Sequence, residues 1–355
     1  MKPDRQARPP IQEPETPDVP GLTLRGYRDQ SDCPGIYEAM ARSLKADFPG
    51  DEVWVSLEGV TRRHSEPTPR WDPSRDCVLA VVEGEIIGYG RVTWYQELSD
   101  KRLYSIVAFL SPEWRGRGLW RTMLRTCEAR AGEIAANHPS GIRRILQAWG
   151  SEPEVDWPAL LLSEGYREVR HFWDMIRPIG ADLPDVRLPA GLEVRPVRPE
   201  HLRAIWEAQR EVAPDHWQYI QDDWTEGKFE EWREANVSGT ALWQVAWDGG
   251  EVAGMVLASI DEEANNKLGR RRGNTEHIFV RRLWRRRGLA AALIGRALAA
   301  LRAEGMDEAY LGVDEENPSG AMGHYRRLGY EARRQDTWYR KWLDRPAGED
   351  ESGLR

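Results

Sequence analysis

The chain has little cysteine, no long apolar run and no surplus of positive charge, and each shortage removes a class of protein. Only Cys33, Cys77 and Cys127 occur among 355 residues, and none forms a CxxC pair. Neither a disulfide framework nor a cysteine-rich zinc cluster is therefore expected, and a reducing, cytoplasmic setting fits. No stretch of about 18 consecutive apolar residues is present, which predicts no membrane-spanning helix. The opening MKPDRQARPPIQEPETPDVP is polar and proline-rich, so it reads as neither a signal peptide nor an anchor. A net charge of −8 argues against nucleic-acid or acidic-membrane partners.

What the sequence does have is length for two cores, and a pattern that occurs twice. Gly21-Leu22-Thr23-Leu24-Arg25 returns as Gly191-Leu192-Glu193-Val194-Arg195, and the arginine-glycine turn ending at Gly118 returns at Gly288, each pair 170 positions apart. Each half carries a glycine-turned hairpin, Val78–Val82 with Ile86–Gly88 and Leu242–Trp247 with Val252–Gly254. A helix-period segment then follows each arginine-glycine turn, starting at Leu119 and at Leu289. Next come a short strand, a short helix ending in Gly165-Tyr166 or Gly329-Tyr330, and an aromatic strand, His171–Ile176 or Thr337–Trp342. The expected organisation is a disordered arm over 1–20, a first domain over 21–177, a proline-rich linker over 178–190, a second domain over 191–344 and a tail over 345–355.

The most informative stretch is Ile278-Phe279-Val280-Arg281-Arg282-Leu283-Trp284-Arg285-Arg286-Arg287-Gly288-Leu289-Ala290. An apolar strand enters a basic turn that opens onto an alanine-rich helix. A helix start leaves backbone N–H groups unpaired and carries partial positive charge, which suits a pyrophosphate. Small Gly288 and Ala290 let phosphate approach the backbone, and Arg285, Arg286 and Arg287 can add charge-assisted hydrogen bonds. No Gly-Lys-Ser/Thr follows, so this is not a Walker loop, and the triple-glycine dinucleotide fingerprint is missing.

The spacing Arg285-x-x-Gly288-x-Ala290 between strand and helix resembles the acetyl-CoA pyrophosphate motif of the GNAT superfamily of acyl-CoA N-acetyltransferases. In two copies the resemblance spans nearly all of residues 21–344. It implies an α/β (α+β) fold of two tandem GNAT domains, each with a mixed, mostly antiparallel sheet flanked by helices. It also implies acetyl-CoA as co-substrate, its arm held by backbone amides near Phe279 and Val280. The first half offers Arg115, Gly116, Arg117 and Gly118 for the same purpose, but places bulky Trp120 where the family prefers Gly or Ala.

The segment Asn317-Pro318 to Ala321, Tyr325 and Gly329-Tyr330 resembles the family's N-x-x-x-A-x-x-x-Y-x-x-x-G-F/Y run. The resemblance gives Tyr325 the role of proton donor to the departing CoA thiolate and sets Asn317 near the cofactor. Asn317 reads as a helix N-cap, with Pro318 as the first helical residue. Glu276, two residues before Ile278, is the candidate base for the acceptor amine; the family's usual position corresponds to Asn274, on the same strand face. Asp314 and Glu315 are alternatives. In the first half Leu161 and Pro153 stand where Tyr325 and Asn317 stand in the second, so the second half is the expected catalyst.

Carboxylates and aromatics between Asp215 and Trp232 would suit a cationic, small-molecule amine acceptor, or would form an amphipathic helix with an aromatic core. Neither His277 nor His324, the histidines near the motif, has metal-ligand spacing, so no metal enters the reading. A non-catalytic acyl-CoA sensor or interaction module is the alternative from another class, and the oligomeric state is left open.

Overall fold

The computed structural model describes residues 15, 17–50, 55–97, 100–180, 182–220, 223–345 and 348–354. The elements run β1 (Thr23–Arg25), α1 (Cys33–Asp47), α2 (Leu57–Ser65), α3 (Pro73–Asp76), β2 (Cys77–Val82), β3 (Glu85–Glu97), β4 (Lys101–Leu110), α4 (Leu119–Ala136), β5 (Arg143–Ser151), α5 (Asp156–Ser163) and β6 (Arg167–Pro178). They continue with β7 (Glu193–Val194), α6 (Leu202–Val212), α7 (Glu226–Asn236), β8 (Gln244–Asp248), β9 (Glu251–Ile260), α8 (Glu262–Leu268), β10 (Arg272–Val280), α9 (Leu289–Ala303), β11 (Glu308–Asp314), α10 (Ala321–Arg327) and β12 (Glu331–Asp344). Among the described residues no helix is long and apolar enough to cross a membrane.

The chain divides into two compact units, one up to Arg170 plus Asp336 onward, the other His171–Gln335. The first has strand order β1-β2-β3-β4-β5-β12 and the second β6-β11-β10-β9-β8-β7. In each, one pair is parallel, β4 with β5 and β10 with β11, and the remaining pairs are antiparallel. The division differs from chain order at the closing strands. Asp336–Asp344 pairs with Ser151–Arg144 in the first unit, while Phe172–Pro178 pairs with Asp314–Glu308 in the second. Both closing strands are aromatic, of similar length and antiparallel to the edge they cover, so their patterns do not say which edge each will take.

The two faces of each sheet are packed because the strands alternate. In the second unit Ala253, Leu311 and Val313 join α9 residues Leu293, Ala297 and Leu301 in one core, while Val245, Met255 and Phe279 join Leu202, Ile205 and Val212 of α6 in another. Alanine and leucine give α9 high helix propensity, and its small residues admit close neighbours. A Cβ on Gly295 would lie 2.5 Å from the Pro184 carbonyl oxygen, so the proline-rich connection packs on this helix rather than hanging free. Most of the expected N-terminal arm, residues 1–14 and 16, lies outside the described residues, as do 346, 347 and 355 of the tail. Within the described ends a few residues are packed: Val19 joins the α4 core, and Leu354 is buried with its carbonyl accepting from Arg340 Nη1 at 2.9 Å.

The first unit also buries an unbalanced set of acids. Arg115 bonds both oxygens of Asp47 at 2.7 Å and lies 3.6 Å from Asp156, and the Ser151 hydroxyl donates to Asp336. Glu154 accepts from the Ser151 amide at 2.8 Å, yet burial first, with Asp47 and Asp336 adding, pushes its carboxyl up to about 8. The unfolded chain loses this proton near pH 4.5 and the native state near 8, so the native state holds the extra proton between them. Stability from this group is therefore full below about pH 4.5 and is lost as pH rises through about 8. Melting curves from pH 5 to 9 should show Glu154→Gln gaining on the wild type as pH rises; a constant difference would refute the buried-proton account.

Candidate functional site

The second unit opens a wedge between two strands. β10 and β11 pair only over Arg272–Asn274 and Glu308–Tyr310, although β10 runs on to Val280 and β11 to Asp314. On its other edge β10 bulges: Glu276 faces Leu257 and Phe279 faces Met255, so His277 and Ile278 share one partner position. His277 has φ 46°, a left-handed conformation that a non-glycine residue holds at a cost of about 1–3 kcal/mol. The extra residue reverses the alternation. Phe279 packs with α6, Ile278 and Val280 pack with α9, and the α6 face also receives Asn274 and Glu276. The sequence shows no signal for the bulge.

At the mouth of the wedge the basic turn is pinned from below. Trp284 is buried and its indole donates to Asp248 at 2.9 Å. Arg286 and Gly288 both have positive φ, 60° and 81°, which turns successive amides toward one concavity. Gly288 caps α9, and the first bond into the helix is from Ala292 N to Gly288 O at 3.1 Å, leaving the amides of Leu289, Ala290 and Ala291 ahead of it. A Cβ on Gly288 would meet nothing closer than Val186 at 3.9 Å, so its backbone angle, not crowding, calls for glycine. Arg285 donates to Val280 O at 2.8 Å and to Asp215 at 2.6 Å, and Asp215 takes a second bond from Arg282, also 2.6 Å. These two guanidinium groups hold the Asp215 carboxyl below the usual range. Arg287 is exposed and, unlike Arg285 and Arg286, does not line the cleft.

The cleft that continues inward measures about 1140 Å³. Ile278, Phe279, Val280, Leu289, Ala290, Asn317 and Tyr325 all line it. Tyr325 is buried, and burial pushes its phenol well above the usual range, which keeps it protonated. Neighbouring Tyr330 is committed to Thr275 at 2.8 Å, whereas no described residue bonds the Tyr325 hydroxyl. Asn317 does not cap the helix as expected. Its side chain accepts from the Ser319 amide at 2.9 Å and its carbonyl from the Gly320 amide at 2.9 Å, forming a turn, and α10 starts after Gly320 at φ 68°. Proline at 318 thus belongs to the turn.

On the α6 side the cleft is lined by Phe172, Gln209, His216, Trp224, Glu276 and Asp314. Of the aromatic and acidic residues between 215 and 232, Asp215, His216 and Trp224 reach it. Trp206 packs at tilted and edge-on angles against Trp224, Phe229 and Trp232, and Glu226, Glu230 and Glu231 form surface ion pairs. Asp222 lies outside the described residues.

The corresponding place in the first unit is filled. β4 pairs with β3 without a bulge. Trp120, in the Ala290 position, donates to Ala108 O at 3.2 Å, Trp157 donates to Trp149 O at 3.0 Å, and the two rings stack at 5.4 Å. Arg115, expected to greet a phosphate, is buried against Asp47 and Ser43, and its guanidinium covers Trp120 at 4.8 Å. The Arg117 carbonyl accepts from the Asp18 amide at 2.9 Å. Gly116 and Gly118 keep the positive φ of the turn, 77° and 76°, but the turn does not frame an open mouth.

The Acetyltransferase (GNAT) family matches residues 37–153 and 202–330. The chain is 28% identical over 261 residues to a mycothiol acetyltransferase from Salinispora tropica, covering 73% of this chain and 78% of that protein. It is 25% identical to one from Geodermatophilus obscurus, covering 88% and 96%. Among solved structures, a GCN5-related N-acetyltransferase from Sphaerobacter thermophilus superposes with TM-score 0.69 at 26% identity, covering 92% of this chain and 97% of that one. A tandem GNAT protein from the clavulanic acid biosynthesis pathway shares the fold with TM-score 0.63 at 16% identity, covering 92% and 99%.

Calorimetry with acetyl-CoA should give one site per chain, and Gly288→Val should weaken it by at least tenfold, because valine strains at φ 81°. Two equivalent sites would contradict the filled first unit.

Proposed function

The chain belongs to the Acetyltransferase (GNAT) family, an acyltransferase whose acetyl donor is acetyl-CoA, and from that premise we propose that its second half transfers the acetyl group to a primary amine of a small molecule. The observation that carries the proposal is the splayed wedge of β10 and β11, with the amides of the α9 start at its mouth and Tyr325 lining the cleft that continues inward. Acetyl-CoA supplies an activated thioester. The amides ahead of Ala292 and the guanidinium of Arg286 fit its diphosphate, and Arg285 joins them by exchanging Asp215 for phosphate. The polar backbone of β10 near Phe279 and Val280 suits the amides of its arm.

As the amine nitrogen bonds the carbonyl carbon, the carbon–sulfur bond breaks and Tyr325 donates its proton to the departing sulfur. Glu276 lies on the acceptor face and draws the ammonium form into the cleft by charge. The relatives named mycothiol acetyltransferase align with this chain over 78% and 96% of their own length, which supports a small-molecule acceptor.

Thiol release across a panel of amines should show Tyr325→Phe about a hundredfold slower in kcat with little change in the KM of acetyl-CoA. Unchanged turnover would remove the proton-donor role, and acetyl-CoA binding without transfer to any amine would favour a sensor. Glu276→Gln should raise the amine KM by roughly tenfold and leave kcat within a fewfold; a collapse of kcat instead would make Glu276 the base.

A further inference from the structure

Within the acetyl-transfer reading, on which this inference rests, one step lacks an agent. An ammonium acceptor must lose a proton before its nitrogen attacks. Glu276, the residue the sequence suggests, lines the cleft and, like His216, is exposed, so exposure does not choose between them. For an amine of roughly 8–10 an imidazole, ordinarily near 6.5, is a closely matched proton acceptor.

Three histidines line the cleft, His216, His277 and His324; His324 shares α10 with Tyr325 and His277 sits in the bulge, which leaves His216 on the wall facing the proton donor. His216 lines the α6 side of the cleft, opposite the wall that carries Tyr325. Both of its neighbours are anchored. Asp215 is held by Arg282 at 2.6 Å, a bond that remains when Arg285 turns to phosphate, and the Trp217 ring lies 6.0 Å from that of Phe172. Between them the backbone of His216 is extended, φ −95° and ψ 146°, which turns its ring away from both neighbouring side chains. We propose that His216 is the proton acceptor for the incoming amine, and that Asp215 is the positioning residue that fixes it over the cleft.

Neutral His216 takes one proton from the ammonium, the free nitrogen forms the new C–N bond as the C–S bond breaks, and Tyr325 protonates the sulfur. The second nitrogen proton then restores the phenol, and His216 returns its proton to water.

The charged and titratable groups that act on the ring are Asp215 beside it, Asp314 at the end of β11, His277 at the bulge and Arg285 in the turn before α9. Although the residue is exposed, partial withdrawal of the ring from water at the cleft wall is the largest influence and lowers its pKa from 6.5; Asp215 and Asp314 raise it, and His277 and Arg285 lower it further. The ring is thus neutral at pH 7, and activity is lost only as pH falls through its lowered value.

The test is kcat/KM for the best amine from pH 5.5 to 10. His216→Gln should be about a hundredfold slower at pH 7, with the deficit shrinking as pH approaches the amine's own pKa and the KM of acetyl-CoA unchanged. A pH-independent deficit, or none, overturns the proposal. Asp215→Asn gives a second readout that does not depend on that variant folding. Loss of the carboxylate that favours imidazolium should move the acid limb to lower pH, and an unmoved limb counts against the proposal. If His216→Gln keeps the wild-type profile while Tyr325→Phe is slow, only this inference fails; if the wild type acetylates no amine, the acetyl-transfer reading fails with it.

Discussion

Splaying a parallel strand pair in front of a helix start exposes backbone N–H and C=O groups that must find partners, and the rest of the architecture depends on how they are met. An orphaned buried group costs about 1–3 kcal/mol, so such a wedge either stays accessible to water and ligand or is filled from within. The two units take opposite courses. In the first, the Trp120 and Trp157 indoles bond carbonyls of β4 and β5 and stack on one another. That contact adds about 0.5–1.5 kcal/mol beyond the area it buries. In the second, Ala290 leaves the same space open.

The turn arginines follow the same division. Arg115 has a side chain 2% exposed and is locked bidentate to Asp47, 3% exposed. Removing one partner of such a buried pair costs about 3–5 kcal/mol, so Arg115 is not available to a phosphate. Arg285 is 41% exposed and its partner Asp215 30%. Pairs of that kind are worth at most about 1 kcal/mol, and a diphosphate can displace the carboxylate at small cost. The same motif letter therefore serves structure in one unit and remains exchangeable in the other.

Much of this was legible in the sequence where a local cause writes a local signal. Gly288 and the alanine-rich run that follows it announced the helix mouth, and Leu161 and Trp120 announced that the first half departs from the pattern. Features set by pairing between distant segments were not legible. The exchange of closing strands depends on which edge is free, and the two aromatic strands read alike. The bulge at His277 carries no glycine to mark it, and Asn317 followed by proline fits a helix cap and a turn equally well. Val19 and Leu354 looked like parts of disordered ends because their neighbours are polar, yet one apolar side chain suffices to dock a short segment.

The bulge also bears on how the proposed reaction is arranged. Without it, strict alternation would put Glu276 and Phe279 on opposite faces of β10; with it, both face α6, while Ile278 and Val280 turn toward α9. Tyr325 belongs to the α9 side through its packing, and His216 and Glu276 belong to the α6 side. On the proposed reading, the proton leaves the amine on one side of the strand and reaches the sulfur on the other. The acyl carbon then has to sit beside the irregular stretch between them, where the interrupted ladder leaves backbone groups to bond the cofactor's arm. Strain at His277 is the expense of that arrangement, and it falls at the one point where β10 must serve both faces.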